Sequence, residues 1–293
     1  MTDRVSKIAP QEVIVMPRIH KVIGSLVVVA MLAAGSMTVR AIVYGFVDTH
    51  NTFSNVGAFV VRAPSGRISP ICSGTLIAED VFLTASHCTV FFEQELVPRG
   101  YTAFVSFDNP IPFGPLTTAS TDLIPVVQVV SNPRFNQSQS DSGDIAVLLV
   151  SAADTAGIEP ATLPGADLLE QLSAQNGLKT ASFTVAGYGV QNRVVGGGPP
   201  FFTDLNPVPR MYAFESFNAL NQGYLRLSQN PATGDGGACF GDSGGPNFLN
   251  TASGRILVAI TITGDAVCRA TNVVYRVDTA SARAFLGAYV DLP

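Results

Sequence analysis

An all-β architecture, two barrels with one terminal helix, is what the 293-residue sequence predicts. Three observations carry it. Short runs rich in Val, Ile, Thr and Phe recur at close spacing, divided by turn signals such as Asn109-Pro110, Asn132-Pro133 and Ser142-Gly143. The runs fall into two sets that part near residue 155. A single segment, residues 278–289, has helical spacing, with Ala282, Phe285, Leu286 and Tyr289 on one face and Asp278 or Thr279 as its cap. Many short strands and one helix imply barrels or a sandwich, and two sets of strands suggest a pair of barrels.

In chain order, residues 56–61, 74–77, 81–84, 104–107 and 126–130 read as strands, and 145–150 is the continuous apolar run of a buried one. Residues 151–170, Ala-rich with Pro160 and Pro164, read as a linker. The second set comprises 182–186, 224–227, 256–263 and 273–277. Between its first two members lies a long loop, 191–221, containing Gly-Gly-Gly-Pro-Pro at 196–200; it either shapes substrate access or is a variable surface loop.

The N-terminus reads as an export signal. Arg18, His20 and Lys21 precede an apolar run at 22–35, too short to span a bilayer comfortably, and Val39-Arg40-Ala41 offers small residues at the two positions a signal peptidase reads. A membrane anchor is the alternative, and Met16 is a plausible start of the leader. The expected organisation is 1–41 as N-terminal extension and signal peptide, 42–154 as the N-terminal barrel, and 155–293 as the C-terminal barrel and helix. Cys72, Cys88, Cys239 and Cys268 all follow the leader, so an exported chain would hold two disulfides, each adding about 3 kcal/mol. No CxxC spacing suggests zinc.

Charge narrows the partners. The net charge is −5: residues 1–41 hold five Lys/Arg and two Asp/Glu, and the rest of the chain 12 and 20. Without a basic run there is little to hold phosphates, which argues against nucleic acid as a partner. After signal removal no segment is apolar enough to cross a membrane.

Three segments carry chemistry. Acyl transfer by serine requires a base, an acid that orients it, and N–H groups aimed at the developing oxyanion. His87 lies in LTASHC after an apolar strand; His20 and His50 lie in the leader and in a polar loop. Asp144 stands in SGDIAVLLV at the mouth of the buried run, where a charge is costly without a partner. Ser243 lies in CFGDSGGP, where Gly241, Gly244 and Gly245 bare the backbone so that a substrate carbonyl can come close. The N–H groups of Gly241 and Ser243 would form the oxyanion hole. Taken singly, each segment has a bland reading: a structural histidine, a strand-entry turn, a flexible turn. Together, in the order His, Asp, Ser, they point to nucleophilic catalysis.

LTASHC, DIAVLLV and CFGDSGGP resemble the three hallmark segments of the chymotrypsin/trypsin family of serine endopeptidases. Further resemblances run from Ile42 to the C-terminus: CSGTLI at 72–77, AGYG at 186–189 with Tyr188 for the family tryptophan, ITITGDAVC at 260–268, and VVYRV after it. The resemblance implies two six-stranded antiparallel barrels with the triad His87, Asp144 and Ser243 at their junction. It implies disulfides Cys72–Cys88 and Cys239–Cys268. It gives Asp242 a salt bridge to a freed α-amino group; Ile42-Val43-Tyr44-Gly45 resembles the mature start, so export itself would expose Ile42. No cofactor and no metal are implied. The implied partners are polypeptide substrates and protein inhibitors, and the chain is expected to be secreted (or periplasmic) and monomeric.

By the same resemblance Gly237 falls at the base of the specificity pocket and Ile262, Gly264 and Val273 along its walls. An uncharged, shallow pocket predicts cleavage after apolar, small-to-medium side chains rather than Arg or Lys. Three departures stand out: Ile262 replaces a serine that supports the triad acid, Ser86 replaces an alanine, and Thr263 replaces an aromatic. Two rival functions remain: a non-catalytic binding protein on the same fold, which would usually lack a triad residue, and an esterase with a nucleophile elbow, which needs alternating βα units and the order Ser, acid, His.

Overall fold

The computed structural model describes residues 42–112, 122–190, 192–194, 201–203 and 207–293. The expected leader and the run at 196–200 lie outside them. Among the described residues no helix is long and apolar enough to cross a membrane.

The first half forms one antiparallel sheet from β2 (Val56–Arg62), β3 (Ile68–Ala78), β4 (Val81–Thr84), β5 (Thr102–Ser106), β6 (Ile124–Pro125), β7 (Gln128–Ser131) and β8 (Ala146–Leu149). Its order is β6-β5-β2-β3-β4-β8-β7. The two edge strands are consecutive in the chain, separated only by Val126 and Val127. Val126 N donates to Ala103 O at one edge (3.2 Å) and Val127 N to Leu149 O at the other (2.8 Å). Two residues cannot span a flat seven-stranded sheet, so the sheet curls until its edges meet. Counted as one bent strand, 124–131 makes six, and Pro125, which has no N–H, sits at the bend.

The second half closes fully. β9 (Ser182–Gly187), β12 (Met211–Leu220), β13 (Tyr224–Ser228), β14 (Pro246–Thr251), β15 (Gly254–Gly264) and β16 (Thr271–Arg276) form a ring in the order β12-β13-β16-β15-β14-β9, with β9 pairing back to β12. A two-residue β1 (Phe46–Val47) adds to β12. A short hairpin pairs β10 (Asn192–Val194) with β11 (Phe201–Thr203).

The stretch 191–221 is therefore not a single loop: β12, a full member of the ring, occupies its C-terminal part. Along β12 the inward positions are Met211, Ala213 and Glu215, all buried, alternating with Tyr212, Phe214 and Ser216. A glutamate at an inward position breaks the apolar alternation that marks a strand. β14 is likewise a strand that the sequence pattern does not announce. Helices α1 (Ser86–Phe91) and α2 (Leu168–Ala174) are additional to the expected terminal one, α3 (Ala280–Leu286). Thr279 caps α3, its side chain accepting from Ala282 N at 3.2 Å. Asp278 instead accepts from Arg276 Nε (2.9 Å) and Leu169 N (2.8 Å), which pins α2 to the end of β16.

Both sheets feed one apolar cluster, with Phe59, Phe82 and Val147 from the first and Ala186, Ile260 and Tyr275 from the second. Each large apolar side chain so buried contributes about 1.5–3 kcal/mol. Arg210, immediately before β12, is wholly buried and donates to Asp48 Oδ2 (2.9 Å), Val56 O (3.0 Å) and the Tyr188 hydroxyl (3.1 Å). That cation ties the chain on both sides of the barrel junction.

Candidate active site

Strand register positions the first two residues. β4 pairs with β8 so that Thr84 faces Ala146. The residues just past β4 and just before β8 are therefore neighbours, and these include His87, in the first turn of α1, and Asp144. His87 Nδ1 lies 2.8 Å from Asp144 Oδ2, and His87 N donates to Asp144 Oδ1 at 2.9 Å. One carboxylate thus grips both the ring and the backbone of one histidine. The disulfide Cys72–Cys88, with Cα atoms 6.4 Å apart, fixes the residue after His87 to β3.

Ser86 has a larger part than a change from alanine suggests. Its hydroxyl donates to Ile145 O (2.7 Å) and accepts from Asn132 N (3.0 Å), and the residue is fully buried. It fastens α1 to the residue next to Asp144. Asp144 thus has firm local support without the serine that Ile262 replaces.

Ser243 lies on the turn that precedes β14. Gly241 and Gly244 have φ of +94° and +79°, conformations that L side chains resist. A Cβ on Gly244 would sit 2.2 Å from Thr84 Oγ1 and 2.8 Å from Ala85 N, so the turn lies directly against the entry to α1. Ser243 O accepts from Ser73 N at 2.8 Å and is 4.0 Å from Cys88 Sγ. Ser73 also donates from its hydroxyl to Gly241 O (3.0 Å) and accepts from Tyr188 N (2.9 Å). This residue clamps the serine turn, and sequence reasoning missed it; the signal was present in CSGTLI, where it directly follows Cys72.

The Phe240 carbonyl accepts from Val190 N at 2.7 Å. A planar trans peptide then turns the N–H of Gly241 to the opposite side. Among the described residues, the N–H groups of Gly241 and Ser243 donate to no acceptor.

Asp242 points the other way, into the protein. It is fully buried, and its carboxylate accepts from Gly189 N (2.8 Å) and Cys239 N (2.9 Å). Burial, with no cation beside it among the described residues, pushes its pKa up to about 7 despite those two bonds. Ile42 is also fully buried, packed with Val185, Met211, Ala213 and Ala238, and Val43 forms a bridge with Gly237.

Beside Ser243 opens a cavity of about 250 Å³. Ile262, Thr263, Gly264 and Ala266 line it, with Ala238 and the Cys239–Cys268 disulfide. Of the four residues expected at the pocket, Ile262 and Gly264 line it. Val273 does not; its neighbour Asn272, opposite Gly264 in the β15–β16 register, takes that place. Period-two alternation explains the exchange, since a one-residue offset turns a side chain to the other face. Gly237 is also not among the lining residues, because the space a side chain there would enter is already filled by Gln229 and Glu215.

His50 is exposed on a turn, with only Thr49 Oγ1 beside its ring at 3.1 Å. Cys72, Cys88 and His87 offer ligand atoms within 4.8 Å of one another, but both sulfurs are bound in the disulfide and cannot hold a metal.

Comparison with known proteins agrees with this layout. The family model described as Trypsin matches residues 42–285. The chain is similar to Lectizyme of Glossina austeni, 24% identical over 233 residues, which covers 78% of this chain and 79% of that protein. The chain belongs to the trypsin family, and it is a serine-type endopeptidase, a hydrolase acting on polypeptides.

Proposed function

We propose that this endopeptidase is secreted and cleaves through an acyl-enzyme, with His87 as general base, Asp144 as its orienting acid and Ser243 as nucleophile. The observation that carries the reading is the two-point grip of Asp144 on His87. A ring that donates from Nδ1 to Asp144 keeps its Nε2 lone pair for the serine hydroxyl. The Ser243 Oγ–carbonyl bond forms as its proton passes to His87. The oxyanion settles on the N–H groups of Gly241 and Ser243. His87 then returns the proton to the departing amine as the C–N bond breaks, and water repeats the sequence on the ester. The test is labelling with a fluorophosphonate: modification at Ser243, abolished by Ser243→Ala, is the expected result, and an unmodified Ser243 in the folded protein refutes the triad.

In the same reading Asp242 pairs with the α-amino group of Ile42 once residues 1–41 are removed. The sealed, uncompensated carboxyl and the buried Ile42 side chain support this, and the two disulfides fit an oxidising compartment. N-terminal sequencing of the exported protein is expected to begin at Ile42. Apart from Asp265, whose carboxylate is spent on the N–H groups around it, the lining is uncharged; it favours uncharged, small-to-medium P1 side chains over Arg and Lys, with modest discrimination per methylene.

A further inference from the structure

The inner end of the cavity is not apolar. Its buried lining residues include Thr261 and Asn272, about 4% and 1% exposed. Behind the lining, bonded to its residues Asp265 and Asn272, are two more polar side chains, Gln229, which directly follows β13, and Glu215 from β12, both buried. A Cβ built on Gly237 would meet Gln229 Oε1 and Gln229 Cβ at 2.3 Å and Glu215 Oε1 at 2.8 Å. These two side chains therefore occupy the position from which residue 237 would address the pocket.

The orientation of the Gln229 amide follows from its partners. Its Nε2 donates to Asp265 Oδ1 (3.1 Å) and Thr271 O (3.4 Å), both acceptors, so the nitrogen must face them. The Oε1 atom then faces Gly237, and it has no hydrogen-bond partner among the described residues. A buried acceptor left unmatched costs about 1–3 kcal/mol, which a donor arriving with the substrate would recover.

One of the lining groups, Asp265, is a carboxylate, and its acceptor capacity is already spent. Asp265 is saturated by donors: besides Gln229, its carboxylate accepts from the backbone N–H groups of Arg269, Ala270 and Thr271, which hold its pKa below the ordinary aspartate value despite partial burial. Asn272 Nδ2 donates to both Glu215 oxygens (3.0 and 3.3 Å) and to Asn247 Oδ1 (3.1 Å). Burial, reinforced by Asp235 and Asp242, raises the pKa of the Glu215 carboxyl well above its usual range, which favours its neutral form.

Resting on the assignment of Ser243 as nucleophile beside this cavity, we infer that Gln229 is a specificity-determining residue. Its amide oxygen selects a P1 side chain that carries an uncharged hydrogen-bond donor at its tip, as glutamine and asparagine do. The apolar walls accept the body of such a side chain, and the inner end accepts its N–H.

The test is a set of peptides identical except at P1, compared by kcat/KM in near-isosteric pairs: Gln against Met, Asn against Leu, Thr against Val, with Arg as the charged control. Gln is expected to exceed Met by at least tenfold, with Arg slowest. In Gln229→Met the Gln:Met ratio is expected to fall to about one while the Met peptide is still cleaved, which shows that the variant is folded. A ratio at or below one in the unaltered protein, or fastest cleavage after Arg, overturns the inference without any variant. A ratio that persists in Gln229→Met also overturns it. Fluorophosphonate labelling of Ser243 in the same samples separates the two levels: labelled protein that prefers Met refutes only the P1 inference, and protein that neither labels nor cleaves refutes the triad beneath it.

Discussion

The corner at His87 and the inner end of the cavity both set a carboxyl group against polar neighbours, and they do so in opposite ways. At the corner, Asp144 meets two N–H groups of a single residue, and the His87 side chain keeps about 34% of its surface open to solvent. At the inner end, Glu215 is sealed and held by an asparagine amide, with two further acids raising its pKa. The first arrangement orients a ring that stays within reach of water, as the proposed general base requires. The second favours the neutral form of a carboxyl packed behind the wall. Residue type alone does not separate these roles; the number of donors and the access of water do.

The largest effect that sharpens this contrast is expected from Asp144→Asn. The substitution preserves shape but removes the acceptor that fixes the Nδ1–H tautomer, and the same exchange in a Ser-His-Asp triad lowers kcat by about 10⁴-fold. Steady-state kinetics with a P1 panel should show the fall in kcat for every peptide alike. A loss confined to one P1 class would move Asp144 from the corner to the pocket.

Next in size is the pH response of Asp242. In the chain with residues 1–41 attached, its folded pKa of about 7 lies above the unfolded 3.8. The folded state then binds the proton more tightly, so stability is greatest below pH 4 and is lost as pH rises toward 7, by about 4 kcal/mol in all. A chain that begins at Ile42 supplies an ammonium group and escapes that loss. Urea unfolding of the two forms between pH 4 and 7 is expected to show a gap that widens with pH and closes in Asp242→Asn. A constant gap would mean that the amine and Asp242 do not meet.

How far the sequence foretold each region follows from the same contrast. His87, Asp144 and Ser243 each sit in a contiguous segment whose neighbours are constrained too, by a disulfide, a buried strand and a run of glycines. Such segments are legible as strings. Strands 56–61, 81–84 and 182–186 were equally legible, since their burial is continuous or alternating. The inner end has no string of its own. Glu215, Gln229 and Asn272 come from three strands or strand ends that meet only through the β12–β13 and β13–β16 ladders. The strand that delivers Glu215 was hidden because that glutamate stands where the pattern requires an apolar residue. Placing Val273 rather than Asn272 at the wall was a one-residue offset in register that no local feature could fix. Ser73 and Ser86 were visible, but the work of a hydroxyl is set by the carbonyls it reaches, which for Ser86 and Ser73 lie 59 and 168 residues away.

A smaller effect tests whether the corner depends on that support. Ser86→Ala removes the bond to Ile145 O and leaves the Asn132 N–H unmatched in a buried site. A stability loss of about 1–3 kcal/mol is expected by urea unfolding, with a reduction in kcat well short of that in Asp144→Asn. Equal losses in kcat would make Ser86, not the His87 backbone, the principal anchor of Asp144.

The smallest effect in acid is expected from Glu215→Gln. Below pH 4 the carboxyl is protonated in the folded and the unfolded chain alike, so exchanging it for an amide should change stability by no more than about 1 kcal/mol, the scale of one neutral hydrogen bond. The two proteins should diverge as pH rises. The folded pKa of Glu215 lies above its unfolded value of 4.5, so its contribution is complete below that value and is lost as pH rises toward the folded pKa; the glutamine has nothing to lose. Urea unfolding from pH 3 upward should therefore show the variant gaining on the parent protein once pH passes 4.5. A difference that does not change with pH would mean that the folded protein ionises Glu215 as readily as the unfolded chain does, and the contrast between the two carboxyl groups would fail.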